Sequence, residues 1–281
     1  MAADAWSARA YVALGTLIEI RLAASEARME RFDRAFAAIE HVHHCMSAHD
    51  GDSDLARIAR RAHRSTVAVD AQTFEVLVLA KHLFDASNGR FDVTQAVRRR
   101  RGGTLAALEL VAPRHVRANR PIALDLGGIA KGYAVDRAIA ALRAAGATRG
   151  SVNAGGDLRV FGGEWMPLQI RDPRAPTSRF VLGSISDCAA ATSADYRRDG
   201  GAVLLDRDAT TPQRFPASVT VVAKTCAHAD ALTKCVALDP RGAPALLARF
   251  GAHAFLIEVD ASAITCHRAG RASPHSLRLA A

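Results

Sequence analysis

The sequence predicts an α+β fold, and three observations support this prediction. Apolar residues recur every three or four positions in some segments and form short β-type runs in others, so both helices and strands are expected. The two kinds of segment do not alternate regularly, which argues against a doubly wound parallel sheet. Hydrophobic residues make up 49% of the 281 residues but aromatic residues only 5%, so Ala, Val, Leu and Ile must fill most of the core.

The individual elements follow from these patterns and from the turn residues between them. Helices are predicted at residues 29–46, 74–84, 130–145 and 228–238. Strands are predicted at residues 12–22 and 151–160, each interrupted by glycine, and at residues 122–124, 180–185, 189–192, 203–205, 218–222, 255–259 and 263–266.

The domain organisation is predicted to be simple. Residues 1–268 are expected to form a single unit, although the basic stretch R-R-R-R-G-G at residues 98–103 leaves open two lobes, 1–97 and 104–268, joined by a linker. Residues 269–281 are expected to form a flexible tail.

The net charge and the cysteine content indicate which binding partners and which cellular compartment to expect. A net charge of +9 favours anionic partners such as nucleic acid, acidic membranes or phosphorylated small molecules, although a GC-rich genome accounts for the arginines equally well. Five scattered cysteines without a C-x-x-C pair argue against a disulfide framework. Neither a signal peptide nor an apolar run near the ~18–20 residues of a membrane span is visible, so a cytoplasmic location is predicted.

The segment from Ile122 to Asp136, I-A-L-D-L-G-G-I-A-K-G-Y-A-V-D, carries the clearest chemical pattern. Its two glycines allow a sharp turn close to a ligand, and the N–H groups that open the following helix suit an anion. Lys131 in the first turn is placed to reach a phosphate, and Asp125 to accept bonds from a ribose or an adenine amine. The alternative is an ordinary tight turn with a surface lysine, because the glycine spacing matches neither common nucleotide-binding motif.

A second glycine corner follows at Asn153 to Asp157, N-A-G-G-D. Glycines inside a strand pattern mark a bulge or a close approach of the backbone. Gly155 and Gly156 would then form one wall of a nucleotide cleft, and the turn at Gly127 and Gly128, which is the first glycine corner, would form the other wall. The alternative is a bulge with only a structural role.

Together these blocks resemble the ApbE-type FAD:protein FMN transferases. The matching blocks run in the family's order from Leu14 to Leu238, and they are L-G-T at 14–16, M-S with S-x-L at 46–55, G-R-F-D-V-T at 89–94, D-L-G-G-I-A-K-G-Y-A-V-D at 125–136, N-A-G-G-D at 153–157, T-S-A-D-Y at 192–196 and A-D-A-L-T at 229–233.

This resemblance implies a T-fold-like α+β architecture around a flavin cleft. It also implies Mg²⁺-dependent transfer of FMN from FAD to a Ser or Thr of an acceptor protein, with release of AMP. The residues it assigns are Asp125, Lys131, Gly155, Gly156 and Leu14 to the flavin nucleotide, the Gly128 carbonyl, Asp230 and Thr233 to the metal, and Asp230 with Lys234 to catalysis.

The sequence departs from the family pattern at the metal site. The family's threonine ligand lies four residues after the metal-binding aspartate, where this chain has Lys234, which is placed to pair with Asp230 on one helix face. Two outcomes are left open: the ammonium replaces part of the metal charge, or the protein is a degenerate binder of a flavin or nucleotide. The family's H-I-x-D-P-x-T-G-x-P block is also degraded at residues 203–212, and a flavin-lining stretch after Thr94 is replaced by Q-A-V and four arginines.

Other functions are weaker alternatives. The stretch H-V-H-H-C places His41 with His44 or Cys45 on one helix face, as zinc accepts, but no distant ligand pair is apparent. The arginines at residues 98–101, with basic residues up to Arg120, suggest nucleic-acid binding, yet no aromatic platform or known DNA-binding spacing accompanies them. The absence of G-x-S-x-G argues against a serine hydrolase.

Overall fold

The computed structural model describes residues 5–94, 103–172, 175, 177–194, 203–204, 213–214, 218–259, 264–270 and 276–280. The α-helices in these ranges are α1 (Met29–Met46), α2 (Asp54–Arg61), α3 (Ala71–Ala86), α4 (Ala130–Ala144), α5 (Cys226–Leu238) and α6 (Ala243–Arg249). The strands are β1 (Trp6–Ala13), β2 (Thr16–Ala23), β3 (Val67–Ala68), β4 (Leu108–Val111), β5 (His115–Ala118), β6 (Gly150–Ala154), β7 (Asp157–Phe161), β8 (Met166–Arg171), β9 (Arg179–Ile185), β10 (Ala189–Ala194), β11 (Val203–Leu204), β12 (Gln213–Arg214), β13 (Ser218–Ala223), β14 (His253–Val259), β15 (Ile264–Gly270) and β16 (Leu277–Leu279). This mixture confirms the predicted α+β class.

Eight strands form one antiparallel sheet in the order β1-β2-β6-β7-β10-β13-β14-β15. Two turns of this sheet within the described residues are the glycine-containing interruptions in the sequence: Leu14 and Gly15 join β1 to β2, and Gly155 and Gly156 join β6 to β7, all four with positive φ. The turns touch, since a Cβ on Gly155 would lie 2.3 Å from the Thr16 hydroxyl oxygen. The turn between β1 and β2 is therefore fixed against the second glycine corner, which is the turn between β6 and β7.

The two faces of this sheet are covered differently. Alternate residues of a strand point to opposite faces, and Ala191, Val221 and Leu256 belong to the main core, which is continuous from Ile18 to Leu256 and includes α1, α4 and α5. Their neighbours Ala190 and Val222 belong to a smaller core on the other face. That second core takes in residues of the small sheet β16-β9-β8, so the main sheet lies between a helical layer and a small sheet.

The structure corrects two predictions about local structure. Residues 122–124 form no strand, although Ile122 and Leu124 are buried, because their apolar side chains pack into the core without joining a ladder. Within the predicted flexible tail, Leu277–Leu279 forms a strand on β9, where Leu277 is buried. Of the predicted linker 98–103, all but Gly103 lies outside the described residues.

Helix α2 was not expected, and its start is explained by a local cap. Ser53 immediately precedes the helix, and its hydroxyl oxygen accepts a hydrogen bond from the Ala56 amide at 3.2 Å. A serine N-cap of this kind stabilises the first turn of a helix. None of the helices in the described ranges has the length and apolarity needed to cross a membrane.

Helices α4 and α5 approach closely at Gly132. A Cβ there would lie 2.3 Å from the Cys226 carbonyl oxygen, which is backbone and has no easy way to move. We expect Gly132→Ala to lower the free energy of unfolding by at least about 2 kcal/mol, because overpacking costs more than the ~1 kcal/mol that alanine gains in helix propensity. Urea unfolding followed by circular dichroism measures this change.

The matched control is Gly51→Ala, where an added Cβ meets nothing within 4 Å. Its free energy of unfolding is expected to stay within about 0.5 kcal/mol of that of the parent. Equal midpoints for the two variants would contradict the close helix crossing.

The cysteines are free thiols, and four of the five are buried. Burial raises the pKa of Cys235 to about 12 and that of Cys226 well above its usual value, so both thiols stay protonated within the core. A thiol reagent is expected to modify one cysteine of the folded protein, the exposed Cys266, in a fast phase of the labelling reaction. The Cys266→Ser variant is expected to show no such fast phase. A fast phase that survives this substitution would show that a buried thiol is accessible.

Candidate functional site

The candidate site lies where α4 begins, beside the turn between β6 and β7 and against α5. Lys131, in the first turn of α4, extends its ammonium to the carboxylate of Asp157, the first residue of β7. The Lys131 side chain is 27% exposed and Asp157 only 1%. The two glycine corners predicted to wall a cleft are thus joined by a partly buried ion pair, and the lysine does not point into bulk water.

A second ion pair lies on α5. The ammonium of Lys234 contacts Asp230 Oδ1 and also donates to the Asp230 backbone oxygen at 3.0 Å. Asp230 Oδ2 accepts a hydrogen bond from the Gly132 amide at 3.2 Å, so α5 is tied to the start of α4. The predicted pairing of Lys234 with Asp230 at one turn's spacing is confirmed.

The two pairs act on each other electrostatically. Burial and the charge of Asp230 raise the pKa of Asp157 above its usual value, against the opposing charges of Lys131 and Lys234. Burial alone would raise the pKa of Asp230, but the charges of Lys234 and Lys131 outweigh it and hold that pKa below its usual range. Burial disfavours the Lys131 ammonium, yet the charges of Asp230 and Asp157 raise the pKa of Lys131, so it stays protonated at neutral pH.

The backbone amides at the start of α4 correct one expectation. They were expected to face a ligand, whereas the amides of Ile129 and Ala130 donate to the Leu126 carbonyl at 2.9 and 2.8 Å, and that of Gly132 donates to Asp230. The turn residues and a carboxylate from a distant helix satisfy these donors. These three amides are therefore already bonded, and Lys131 contributes a positive side chain at the start of the helix.

The first glycine corner is held by the segment G-R-F-D-V-T. The Asp125 amide donates to the Val93 carbonyl at 2.7 Å, and Asp125 Oδ1 accepts from the Gly127 amide at 2.8 Å within its own turn. Gly128 lies beside the second ion pair, since a Cβ there would be 3.6 Å from Lys234 Cε and 3.7 Å from Phe91 Cε2. Gly128 thus adjoins Lys234.

The remaining predicted residues lie around this centre. Thr233 is fully buried; its hydroxyl donates to the Asp230 backbone oxygen and lies 2.7 Å from the Ser193 hydroxyl. Leu14 is half-buried in the turn that contacts Gly155, and it packs against the main core. The structure thus brings together Lys131, Asp230, Thr233, Lys234 and Gly128, with Leu14, Gly155, Gly156 and Asp125 in the adjoining turns.

Comparison with known proteins decides the family. The family model for ApbE proteins matches residues 14–256, which is most of the chain. This chain belongs to the ApbE family. The motif resemblance seen in the sequence is thereby confirmed.

Two ApbE relatives carry the name FAD:protein FMN transferase. That of Treponema pallidum (strain Nichols) is 27% identical over 310 residues, covering 90% of this chain and 84% of that protein. That of Rhodobacter capsulatus is 35% identical over 165 residues, covering 53% of this chain and 31% of that protein. Both names support the prediction that this chain is an enzyme of the transferase class.

Solved ApbE structures have the same fold. The apo form of the Pseudomonas stutzeri flavinyl transferase ApbE has a TM-score of 0.80 at 22% identity, with 95% of each chain covered. The Thermotoga maritima ApbE protein has a TM-score of 0.80 at 24% identity, covering 94% of this chain and 97% of that chain. The predicted ApbE architecture is therefore confirmed.

Two site residues were not selected from the sequence, although both end ApbE-like motifs. Asp157 closes N-A-G-G-D, and its role as the partner of Lys131 depends on a contact between distant segments. Asp136 closes the other motif; its carboxylate accepts from the amides of Cys226 and Ala227, both at 2.9 Å, and pairs with Arg159 on β7. A conspicuous aspartate at the end of each motif was the available signal.

Proposed function

We propose that this chain transfers FMN from FAD to a Ser or Thr side chain of an acceptor protein and releases AMP. The observation that carries the proposal is the cluster of two lysines and two aspartates beneath the glycine corners, in a chain of the ApbE family. The named relatives support the same reaction.

The proposed reaction breaks the phosphoanhydride bond of FAD. The acceptor hydroxyl oxygen attacks the FMN phosphorus, the bond to the bridging oxygen breaks, and AMP leaves with that oxygen while the hydroxyl proton passes to solvent. Negative charge on the phosphate oxygens must be neutralised as this happens. Lys131 and Lys234 supply two ammonium groups for that purpose, and Asp157 and Asp230 hold them in place.

Other parts of the site are assigned to binding the nucleotide. Asp125, half-buried at the first corner, offers its carboxylate to the ribose or the adenine amine. Gly155 and Gly156 allow the backbone to approach the diphosphate closely, because neither projects a side chain. Leu14 presents an apolar side chain from the neighbouring turn to the flavin.

Magnesium is the part of the family mechanism that the side chains do not fit. Gly128, Asp230 and Thr233 would hold the ion, but Lys234 occupies Asp230 Oδ1, Gly132 occupies Oδ2, and the Thr233 hydroxyl donates to the Asp230 backbone oxygen. An ammonium and a divalent cation on one carboxylate oxygen repel strongly in a buried site. We infer that Lys234 supplies charge that the metal would bring, and we assign no step to magnesium.

The test is a flavinylation assay with FAD. Purified protein is incubated with FAD and with the mixed cellular proteins of the organism that the chain comes from. Covalently attached flavin is detected as fluorescent bands after denaturing electrophoresis, and AMP is detected by chromatography. Bands that require both the enzyme and FAD, with matching AMP, are expected.

A flavin binder without transferase activity is the second candidate, and the lysine in the metal site favours it. Absorbance spectra with and without FAD distinguish the two. A spectrum of bound flavin without AMP release or a labelled acceptor would leave only the binder. If neither bound flavin nor these transfer products were observed, the flavin site itself would be rejected.

A further inference from the structure

Outside the site already described, three potential metal ligands converge between α1 and α3. His41 and Cys45 lie one turn apart near the end of α1, and Asp70 is the residue that caps the start of α3. His41 Nε2 lies 3.7 Å from Cys45 Sγ and 3.2 Å from Asp70 Oδ2, and all three atoms lie within 4.8 Å of one another. The sequence offered only the helical pair; the fold adds a ligand from a second helix.

We propose that His41, Cys45 and Asp70 form a binding site for a divalent transition metal ion, with Zn²⁺ the best fit. A thiolate, an imidazole and a carboxylate are ligands that zinc accepts, whereas Mg²⁺ and Ca²⁺ prefer oxygen alone. This site does not depend on the proposed transferase activity.

The distances match a tetrahedral ion. With Zn–S of about 2.3 Å, and Zn–N and Zn–O each of about 2.1 Å, tetrahedral angles separate sulfur from nitrogen by about 3.6 Å and nitrogen from oxygen by about 3.4 Å. The observed separations of 3.7 and 3.2 Å are close to these values. An ion therefore needs only small side-chain shifts to reach at least these two donor pairs.

The carboxylate is positioned by contacts that leave one oxygen for the metal. Asp70 Oδ1 accepts from the Gln72 amide at 2.8 Å as the cap of α3, and the Asp70 amide donates to Asp54 Oδ2 at 2.8 Å. These bonds hold Asp70 Oδ2 towards His41. Hydrogen bonds that orient a ligand in this way are a regular feature of metal sites.

The local charge also suits a divalent cation. Burial, with the charges of Asp70 and Asp54, raises the pKa of Cys45 to about 11, and Arg57 opposes this only in part. A bound ion reverses the balance by stabilising the thiolate. The thiolate and Asp70 then carry two negative charges against the ion, while Asp54 is paired with Arg57.

One side of the site is accessible to solvent. The His41 side chain is 45% exposed, and in the described part of the chain no fourth His, Cys or carboxylate joins the cluster. Water is the expected fourth ligand, as in zinc sites with three protein ligands.

The experiment uses Co²⁺ as a spectroscopic probe and then Zn²⁺, with the full-length Cys266→Ser protein freed of metal by a chelator. Removing Cys266 eliminates the exposed thiol. One equivalent of Co²⁺ is expected to produce a thiolate-to-metal charge-transfer band. Zn²⁺ is expected to abolish the band and to raise the melting temperature by several degrees, since it binds the folded state.

Three further variants locate the site. Cys45→Ser is expected to eliminate the band, and Asp70→Asn to weaken binding at least tenfold while keeping an equally good helix cap. His44→Ala is the control, because its ring lies near Asp50 and not in the cluster, and it is expected to bind normally. Circular dichroism confirms that each variant is folded.

No charge-transfer band in the parent, a band that survives Cys45→Ser, or equal losses in His44→Ala and Asp70→Asn would each overturn the proposal. Zn²⁺ binding by a protein in which Co²⁺ produces no charge-transfer band would also overturn the proposal, because it would indicate only adventitious histidine binding.

Discussion

Lys131→Met is expected to lower the rate of FMN transfer by roughly 100-fold or more, because it removes a fixed positive charge beside the bond that breaks. Loss of the ammonium also leaves the Asp157 carboxylate, 1% exposed, without its direct partner. Removing one member of a buried pair costs about 3 kcal/mol of stability. The rate is measured as AMP released and flavin attached, and stability by urea unfolding.

A second substitution separates catalysis from folding. Adding Asp157→Asn to Lys131→Met removes the stranded charge, so we expect stability to recover while the rate stays low. Lys81→Met is the matched control, since that ammonium donates to the Leu108 carbonyl at 2.9 Å, and it is expected to leave the rate unchanged. If the double variant regained activity together with stability, Lys131 would have only a structural role.

Lys234→Thr is expected to make the reaction depend on magnesium. The substitution places a threonine where the ApbE pattern has its metal ligand and frees Asp230 Oδ1. Without Mg²⁺ the variant is expected to lose roughly 100-fold in rate, because one neutralising charge is gone, and added Mg²⁺ is expected to restore much of it. The wild-type chain is expected to keep its rate in EDTA, and both rates are read from AMP release.

The control for this experiment is Lys234→Met, which removes the ammonium without offering an oxygen ligand. Its rate is expected to stay low with or without magnesium. Complete loss of wild-type activity in EDTA would refute the inference that Lys234 replaces metal charge, and it would show that the lysine moves aside for the ion.

Local patterns predicted much of the fold. The apolar period of α1 located that helix at residues 29–46, and Gly15 and the pair Gly155 and Gly156 located the turns between β1 and β2 and between β6 and β7. The strand predicted at residues 122–124 was wrong because a short apolar run indicates only burial. Burial does not distinguish a strand from an irregular segment whose side chains pack into the core.

Apart from the distant residues that the family resemblance and the two glycine corners grouped, contacts in the site were predicted only between residues close in sequence. The pairing of Lys234 with Asp230 follows from helical spacing, whereas that of Lys131 with Asp157 requires two distant segments to meet. The same limit applies to His41, Cys45 and Asp70. The first two lie on one helix and the third on another, and the sequence does not show which side chains of two helices will face each other.

Asp136 shows how the arrangement of charge is maintained from outside the two lysine–aspartate ion pairs. It belongs to α4, accepts the first amides of α5 and pairs with Arg159 of β7. A single carboxylate therefore sets the spacing of the two helices that carry the ammonium groups. Two like charges are brought near each other when the polypeptide folds, so in the proposed reaction an incoming diphosphate would meet them already assembled and lose little to reorganisation.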